Sequence, residues 1–236
     1  MRRPPTTVAA LLAVGLLAGC GGSKAATTST VADTSTAAGA GAAQTTTGAA
    51  APAARGCTTV PMPPLAARTE PRPTTKLDHG KAYEVTFVTN CGSFAFRLDQ
   101  AESPNASASF VSLVQHGYFT KTIFHRIVPG FVIQGGDPTG TGTGGPGYTT
   151  VDRPPATAVY TLGVVAMAKT AQQPPGTAGS QFFVVTVPNA GLPPDYAIIG
   201  KVTSGLAVVL RIGRLGNQLQ QPTEVVEIEQ ATVKVS

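Results

Sequence analysis

The chain reads as an all-β-dominated domain: about eight antiparallel strands closing into a barrel or a sandwich, with two amphipathic helices. Three observations carry that reading. Short runs of alternating or wholly apolar residues recur from Tyr83 to the C-terminus, bounded by Gly, Pro or Asn. Only two stretches carry apolar residues at spacings of three and four, and they do not alternate with the strands, so no βαβ pattern is present. Glycine and proline are plentiful, at 27 and 20 of 236 residues, as a chain of many turns requires. Two helices suffice to cover the open ends of a small barrel. Pattern alone prefers the barrel over the sandwich without deciding it.

The first segment reads as an address. Arg2 and Arg3 precede an apolar run, Val8 to Leu17, that falls short of the roughly 20 residues a bilayer span needs. The ending Leu17-Ala18-Gly19-Cys20 resembles the lipobox of bacterial lipoprotein signals. A signal over 1–19 and a lipid-modified Cys20 as first mature residue are therefore expected, against the plainer alternative of a secretory signal cut nearby. One lipidated terminus anchors a protein to a membrane, here the extracytoplasmic face of the cell membrane, without spanning it. Residues 20–56 are nearly all Ala, Thr, Ser and Gly and offer almost nothing to bury, so they read as a disordered tether. Residues 57–81 form a Pro-rich lead-in arm, and 82–236 the folded domain.

With Cys20 assigned to lipid, Cys57 and Cys91 remain in an exported, oxidising compartment, where two thiols tend to pair. The bridge would pin the arm to the start of the domain; the alternative is two free thiols.

The domain opens with Tyr83–Thr89 and Ser93–Leu98, alternating runs joined at Asn90-Cys91-Gly92, a hairpin with one buried face. Ser103-Pro104 starts a helix, with Ser as N-cap and Pro in the first turn. Phe110, Leu113 and Val114 form its apolar stripe and Gly117 ends it. Ile123 to Asp137 then gives two short strands joined at Pro129-Gly130. Alternation puts His125 and Ile127 on one face of the first strand, and Phe124, Arg126 and Val128 on the other. In the second it separates Phe131 and Ile133 from Val132 and Gln134. From these residues alone the hairpin is either a cationic, apolar-floored surface for an uncharged peptide, or a core strand pair with a solvated arginine.

Gly135 to Pro155 is a long Gly/Thr/Pro loop. Its Gly140, Gly142 and Gly145 match the spacing of a dinucleotide-binding turn, but Pro146 and Gly147 follow where a helix must begin, so a nucleotide role is rejected. Thr161–Ala168 is an almost wholly apolar strand, Lys169–Gly179 a polar loop, and Ser180–Val187 another strand. Ala197–Val202 follows, then a second helix capped by Ser204, then one or two strands within Thr223–Val235.

At this point the residues resemble a known family. Phe124-His125-Arg126-Ile127-Val128-Pro129-Gly130-Phe131-Val132-Ile133-Gln134-Gly135-Gly136-Asp137 is similar to the cyclophilin signature. Gly163-Val164-Val165-Ala166-Met167-Ala168 and Gly179-Ser180-Gln181-Phe182-Phe183 follow in the family's order. The resemblance implies an eight-stranded antiparallel closed barrel capped by two helices, and peptidyl-prolyl cis–trans isomerase activity. It implies Arg126 as the catalytic arginine, with Gln134 beside it and Phe131 completing the catalytic group. Val132, Phe183 and Leu192 match the other walls of the proline pocket, Ala168 and Gln181 the neighbouring peptide subsite, and Tyr196 a polar position that is histidine in many eukaryotic members. Val132 stands where methionine is common. Gly191 stands where many eukaryotic members carry the tryptophan that contacts cyclosporin, so that drug is expected to bind weakly. The loop Lys169–Pro175 is longer than usual by about two residues and leaves the partner of the peptide backbone beside Ala168 unassigned.

Several classes fall away. The net charge of +5 includes Arg2 and Arg3, and no Lys/Arg cluster with interleaved aromatics exists, so nucleic acid is not an expected partner. His79, His116 and His125 sit at no metal-ligand spacing, and no nucleophile set is present, so neither metal nor cofactor is expected. The expected partners are proline-containing segments of exported proteins and, through the lipid, a membrane; a monomer suffices. Two rival readings stay open: a barrel that holds proline segments as a chaperone with incidental catalysis, and a solute-binding lipoprotein that uses the Gly-rich loops as a lid.

Overall fold

The computed structural model describes residues 56–236. The expected leader 1–19, Cys20 and all of the tether but Gly56 lie outside the described residues. The strands are β1 (Tyr83–Thr89), β2 (Gly92–Leu98), β3 (Thr122–Ile123), β4 (Arg126–Val128), β5 (Val132–Gly135), β6 (Thr150–Val151), β7 (Val164–Met167), β8 (Thr177–Ala178), β9 (Phe182–Val185), β10 (Ile198–Ser204) and β11 (Glu227–Val235). The helices are α1 (Pro104–Gln115) and α2 (Leu206–Ile212).

Alternation builds the sheet. In β1, Tyr83, Val85, Phe87 and Thr89 are buried and the residues between them half-buried. Val85 lies opposite Phe96 of β2 on one side and Val233 of β11 on the other. The main sheet has nine strands in the order β3-β11-β1-β2-β10-β7-β9-β5-β4, every pair antiparallel. Its two end strands are separated in sequence only by Phe124 and His125. The sheet therefore curls until its edges are successive pieces of one segment. The expected eight-stranded closed barrel is thus a curled nine-stranded sheet: β3 and β4 are one strand interrupted, and no ladder joins the two end strands.

The interruption has its cause in the packing of the core. Phe124 and Ile127 both enter the interior cluster. They are three residues apart, where strict alternation allows two or four, so the strand must absorb an irregularity between them. Phe124 thereby leaves the face of Arg126 on which alternation had put it. The interior is rich in aromatic rings: Phe87, Phe94, Phe96, Phe110, Phe119, Phe124 and Phe182 are all fully buried. Phe87 stacks on Phe182 with ring centroids 5.2 Å apart and meets Phe119 edge-on at 5.8 Å. Truncating one such ring to alanine costs about 3–5 kcal/mol.

Both helix starts differ from expectation. Ser103 occupies the N-cap of α1, but its hydroxyl makes no capping bond and is buried without a partner. The carboxylate of Asp152 takes over, accepting the Ala106 N–H at 2.6 Å and the Asn105 side-chain amide at 2.7 Å. At α2, Ser204 ends β10 and Gly205 is the N-cap, with φ of 73°. A Cβ there would sit 2.3 Å from the Ser93 carbonyl oxygen, so only glycine fits. The small sheet β6-β8 ties the Gly-rich loop to the loop after β7, a pairing too short to show as a pattern.

Cys57 and Cys91 are joined in a disulfide that closes a separation of 34 residues. Beside it, Thr58 donates its N–H to the Asn90 carbonyl at 2.8 Å and accepts from the Asn90 amide at 2.7 Å.

Candidate active site

The register of β4, β5, β7 and β9 assembles the site. Arg126 pairs with Gln134, Gln134 with Phe183, and Phe183 with Ala166, giving one row across four strands. The next row is Val128, Val132 and Val185. The intervening Ile127, Ile133 and Val184 belong to the interior core, so both rows face outward. There Val132, Phe183, Ala166, Val185, Val164, Ile198 and Tyr160 form a second apolar cluster, with Phe131, Ala168, Leu192 and Tyr196 packed against it.

Phe131 and Val132 meet on this face although alternation separates them. Val128 to Phe131 is a turn, closed by the Phe131 N–H on the Val128 carbonyl at 3.0 Å, and Gly130 takes φ of 68°. Phe131 thus precedes the strand and escapes its parity.

The polar side of the site is a chain of hydrogen bonds. Arg126 donates from Nη1 to Gln134 Oε1 at 3.2 Å and from Nε to Gln220 Oε1 at 2.8 Å. Gln134 Nε2 donates to Gln181 Oε1 at 3.0 Å. Gln181 Nε2 donates to the carbonyls of Gly142 and Gly144, each at 2.9 Å. Burial pulls the Arg126 guanidinium below its ordinary pKa, partly offset by Tyr196. Held at two of its nitrogens and half-buried beside an apolar floor, the guanidinium is a fixed cationic donor. All nine expected site residues on the domain are brought together. Cys20 lies outside the described residues.

The Gly-rich loop is built around Asp137, which is fully buried. Its carboxylate accepts the Thr139 N–H and hydroxyl and the N–H groups of Gly142 and Gly144. Burial alone would raise its pKa, but these bonds outweigh it and hold the carboxyl below the usual 3.8. The His125 ring packs toward Gly142 with both nitrogens buried and unpartnered; burial lowers its pKa below 6.5, with Asp137 opposing and Arg126 adding to the shift.

The sequence model for the cyclophilin type peptidyl-prolyl cis-trans isomerases matches residues 84–233, which contain both rows. The chain belongs to that family.

Curated relatives of this cyclophilin include peptidyl-prolyl cis-trans isomerase-like 1 of Emericella nidulans, 38% identical over 157 residues, covering 64% of this chain and 95% of the relative. Its counterpart in Aspergillus oryzae is 40% identical over 157 residues, with 64% and 96% covered. Among solved structures, a cyclophilin type peptidyl-prolyl cis-trans isomerase of Cryptosporidium parvum superposes with a TM-score of 0.60 at 32% identity, over 65% of this chain and 98% of that one. The same protein solved in the presence of dipeptide Ala-Pro gives 0.59 at 32%, over 64% and 98%.

Two residues of the cyclophilin site escaped the sequence reading. Tyr160 is fully buried; its hydroxyl donates to the Tyr196 carbonyl at 2.7 Å and accepts the Tyr196 N–H at 2.9 Å. Burial pushes that phenol up to about 12. Tyr196 in turn meets Phe183 edge-on at 5.4 Å. Gln220 lies in the loop after α2 with φ of 62°, its carbonyl accepting the Ile127 N–H at 3.0 Å. Neither sits in a motif, and only the fold brings them to the arginine and the pocket. The loop after Ala168 folds on Lys169, whose Nζ donates to the Gln173 carbonyl at 3.2 Å and lies 5.5 Å from the centre of the Tyr196 ring. Gly191 is exposed with nothing within 4 Å of where its Cβ would stand, so the groove has no wall there.

Proposed function

We propose that this cyclophilin isomerises Xaa-Pro bonds in exported proteins, from the extracytoplasmic face of the cell membrane, with Arg126 stabilising the twisted prolyl amide. The amide resists rotation because resonance gives C–N double-bond character, a barrier of about 18–20 kcal/mol. In the twisted state that resonance is lost and the prolyl nitrogen gains a pyramidal lone pair. A donor aimed at it binds the twisted state better than either planar isomer, which lowers the barrier. The row Arg126, Gln134, Phe183 supports this reading most directly: a held guanidinium borders an outward apolar cluster, chemically suited to a proline ring. Phe131, Val132, Phe183 and Leu192 grip the ring while the preceding segment turns. Gln134 keeps the guanidinium plane fixed, and Ala168 and Gln181 receive the flanking peptide, with Tyr196 framing the pocket. The Ala-Pro dipeptide of the Cryptosporidium parvum structure supports this ligand class.

The address rests on the Leu17-Ala18-Gly19-Cys20 sequence. Among the described residues no helix is long and apolar enough to cross a membrane, and in this proposal attachment comes from the lipid on Cys20. Catalysis is tested by cis–trans exchange on a proline peptide with the purified protein; exchange no faster than the uncatalysed rate refutes it. The anchor is tested by labelled palmitate in a bacterial host. Label on the native chain but not on Cys20→Ala is expected, and an unlabelled native chain refutes it.

A further inference from the structure

The Pro-rich arm precedes the region that the family model matches, yet it is bound to the back of the loop that lines the peptide groove. From residue 66 onward it attaches at every second residue, as extended chain does. Ala66 donates its N–H to the Pro138 carbonyl at 3.1 Å, and Glu70 donates its N–H to the Pro146 carbonyl at 3.0 Å. Between them the Arg68 guanidinium bonds the carbonyls of Tyr118 and Thr120 at 2.5 and 2.8 Å, where α1 turns into the barrel. Arg72 bonds the Thr149 carbonyl and lies over the Tyr148 ring, 5.9 Å from its centre. Leu65 covers Gly140 so closely that a Cβ there would come within 2.6 Å of it. Upstream, the disulfide to Cys91 fixes the start of the arm.

The other side of this loop is functional surface. A groove of about 660 Å³ is lined by loop residues 142–149 together with Gln134, Ala168 and Gln181. The carbonyls of Gly142 and Gly144 hold Gln181, which holds Gln134, which holds Arg126. The loop carries glycine at 140, 142, 144, 145 and 147, so it has more freedom to lose than almost any other sequence. Asp137 ties only the first half. The second half, Pro146 to Thr149, is held by the Glu70 and Arg72 contacts of the arm and by the Tyr148 hydroxyl on Ser109 at 2.9 Å.

We propose that the arm is a positioning element of the isomerase: by holding the Gly-rich loop at Gly140 and again from Pro146 to Thr149, residues 65–72 set the subsite for the residues flanking the proline, and so decide which proline segments are accepted. Leu65 and Arg72 are its positioning residues. The proposal rests on the isomerase reading, and it assigns the arm to substrate selection rather than to the chemical step.

The test compares the native protein with the double variant Leu65→Ala, Arg72→Ala on two substrates. One is the Ala-Pro dipeptide, which has a single residue before the proline and none after it; the other is a hexapeptide with a central proline, long enough to extend along the groove. Losing the two contacts should raise KM for the hexapeptide about fivefold, a loss on the scale of one ordinary hydrogen bond. Its kcat should stay within about twofold, and the dipeptide should be unaffected, since Asp137 still holds Gly142 and Gly144 and, through them, the chain of bonds to Arg126. Amide hydrogen exchange across 140–149 should quicken at the same time. An unchanged KM for the hexapeptide overturns the proposal. So does an equal rise for both substrates, which marks general damage, or unchanged exchange in the loop. A native protein with no activity sinks the isomerase reading instead, while the exchange measurement still decides whether the arm holds the loop.

Discussion

Tyr160→Phe deletes one oxygen and nothing else, from a residue outside every motif. That hydroxyl accepts the Tyr196 N–H at 2.9 Å and donates to the Tyr196 carbonyl at 2.7 Å. Phenylalanine keeps the ring in the outer cluster but strands both backbone groups. Leaving buried partners unmatched costs about 1–3 kcal/mol. At roughly 2–4 °C per kcal/mol for a domain of this size, the unfolding midpoint should fall by about 3–10 °C. Function should shift as well, because Tyr196 meets Phe183 edge-on at 5.4 Å, and both belong to the proposed proline pocket. KM for a proline peptide should rise about twofold to tenfold, while kcat, which the proposed mechanism assigns to Arg126, should change less. Differential scanning calorimetry and a coupled exchange assay read the two quantities. A midpoint within one degree of the native protein would refute the assignment of Tyr160 as the support of the pocket, and so would a loss confined to kcat.

Other perturbations probe separate parts of the account. Gln220→Ala removes the acceptor of the Arg126 Nε–H and should lower kcat about threefold to tenfold with little change in KM, while Gln220→Glu, which keeps an acceptor, should retain most activity; equal activity in all three forms contradicts a positioning role. The pH dependence of stability has a definite sign. His125 and Asp137 both have folded pKa values below their ordinary ones, so the unfolded chain binds more protons and stability falls with acidification. The His125 contribution fades as pH drops below 6.5, and the Asp137 contribution below 3.8. Chemical denaturation across pH should show both declines, and His125→Phe should remove only the first; a native curve flat between pH 7 and 4 contradicts this. Cyclosporin should bind weakly, since Gly191 offers no wall, and nanomolar affinity by calorimetry would overturn that reading.

Much of the fold is legible in the chain because its strands are two-sided. Tyr83–Thr89 alternates cleanly, with one face buried in an aromatic interior, and its strand ends where the pattern ends. The stripe Phe110, Leu113, Val114 likewise marks α1. What the chain conceals are features set by tertiary contact. The break between β3 and β4 exists because Phe124 and Ile127 must both reach one core, which no local rule states. Asp152 caps a helix that begins 48 positions earlier in the chain, at Pro104, displacing the local serine that propensity favours. Gly205 caps α2 because the Ser93 carbonyl leaves no room for a side chain.

The site divides in the same way. Arg126, Phe131, Gln134 and Phe183 belong to contiguous blocks and stand out for that reason. Alternation alone separated Phe131 from Val132, and the turn at Gly130 reunites them. Tyr160 and Gln220 have no block around them, and their roles come from the loops that fold back onto Tyr196 and Arg126.

The central claim is that the Arg126 guanidinium lowers the barrier to prolyl rotation. Two-dimensional NMR exchange on an Ala-Ala-Pro-Phe peptide measures the interconversion rate directly, with native protein and with Arg126→Ala. The removal of one donor aimed at a transition state typically costs a factor of about 10²–10³. The native protein should therefore accelerate exchange strongly and the variant at least a hundredfold less, with the unfolding midpoint preserved. Equal exchange rates with the two proteins would contradict the account.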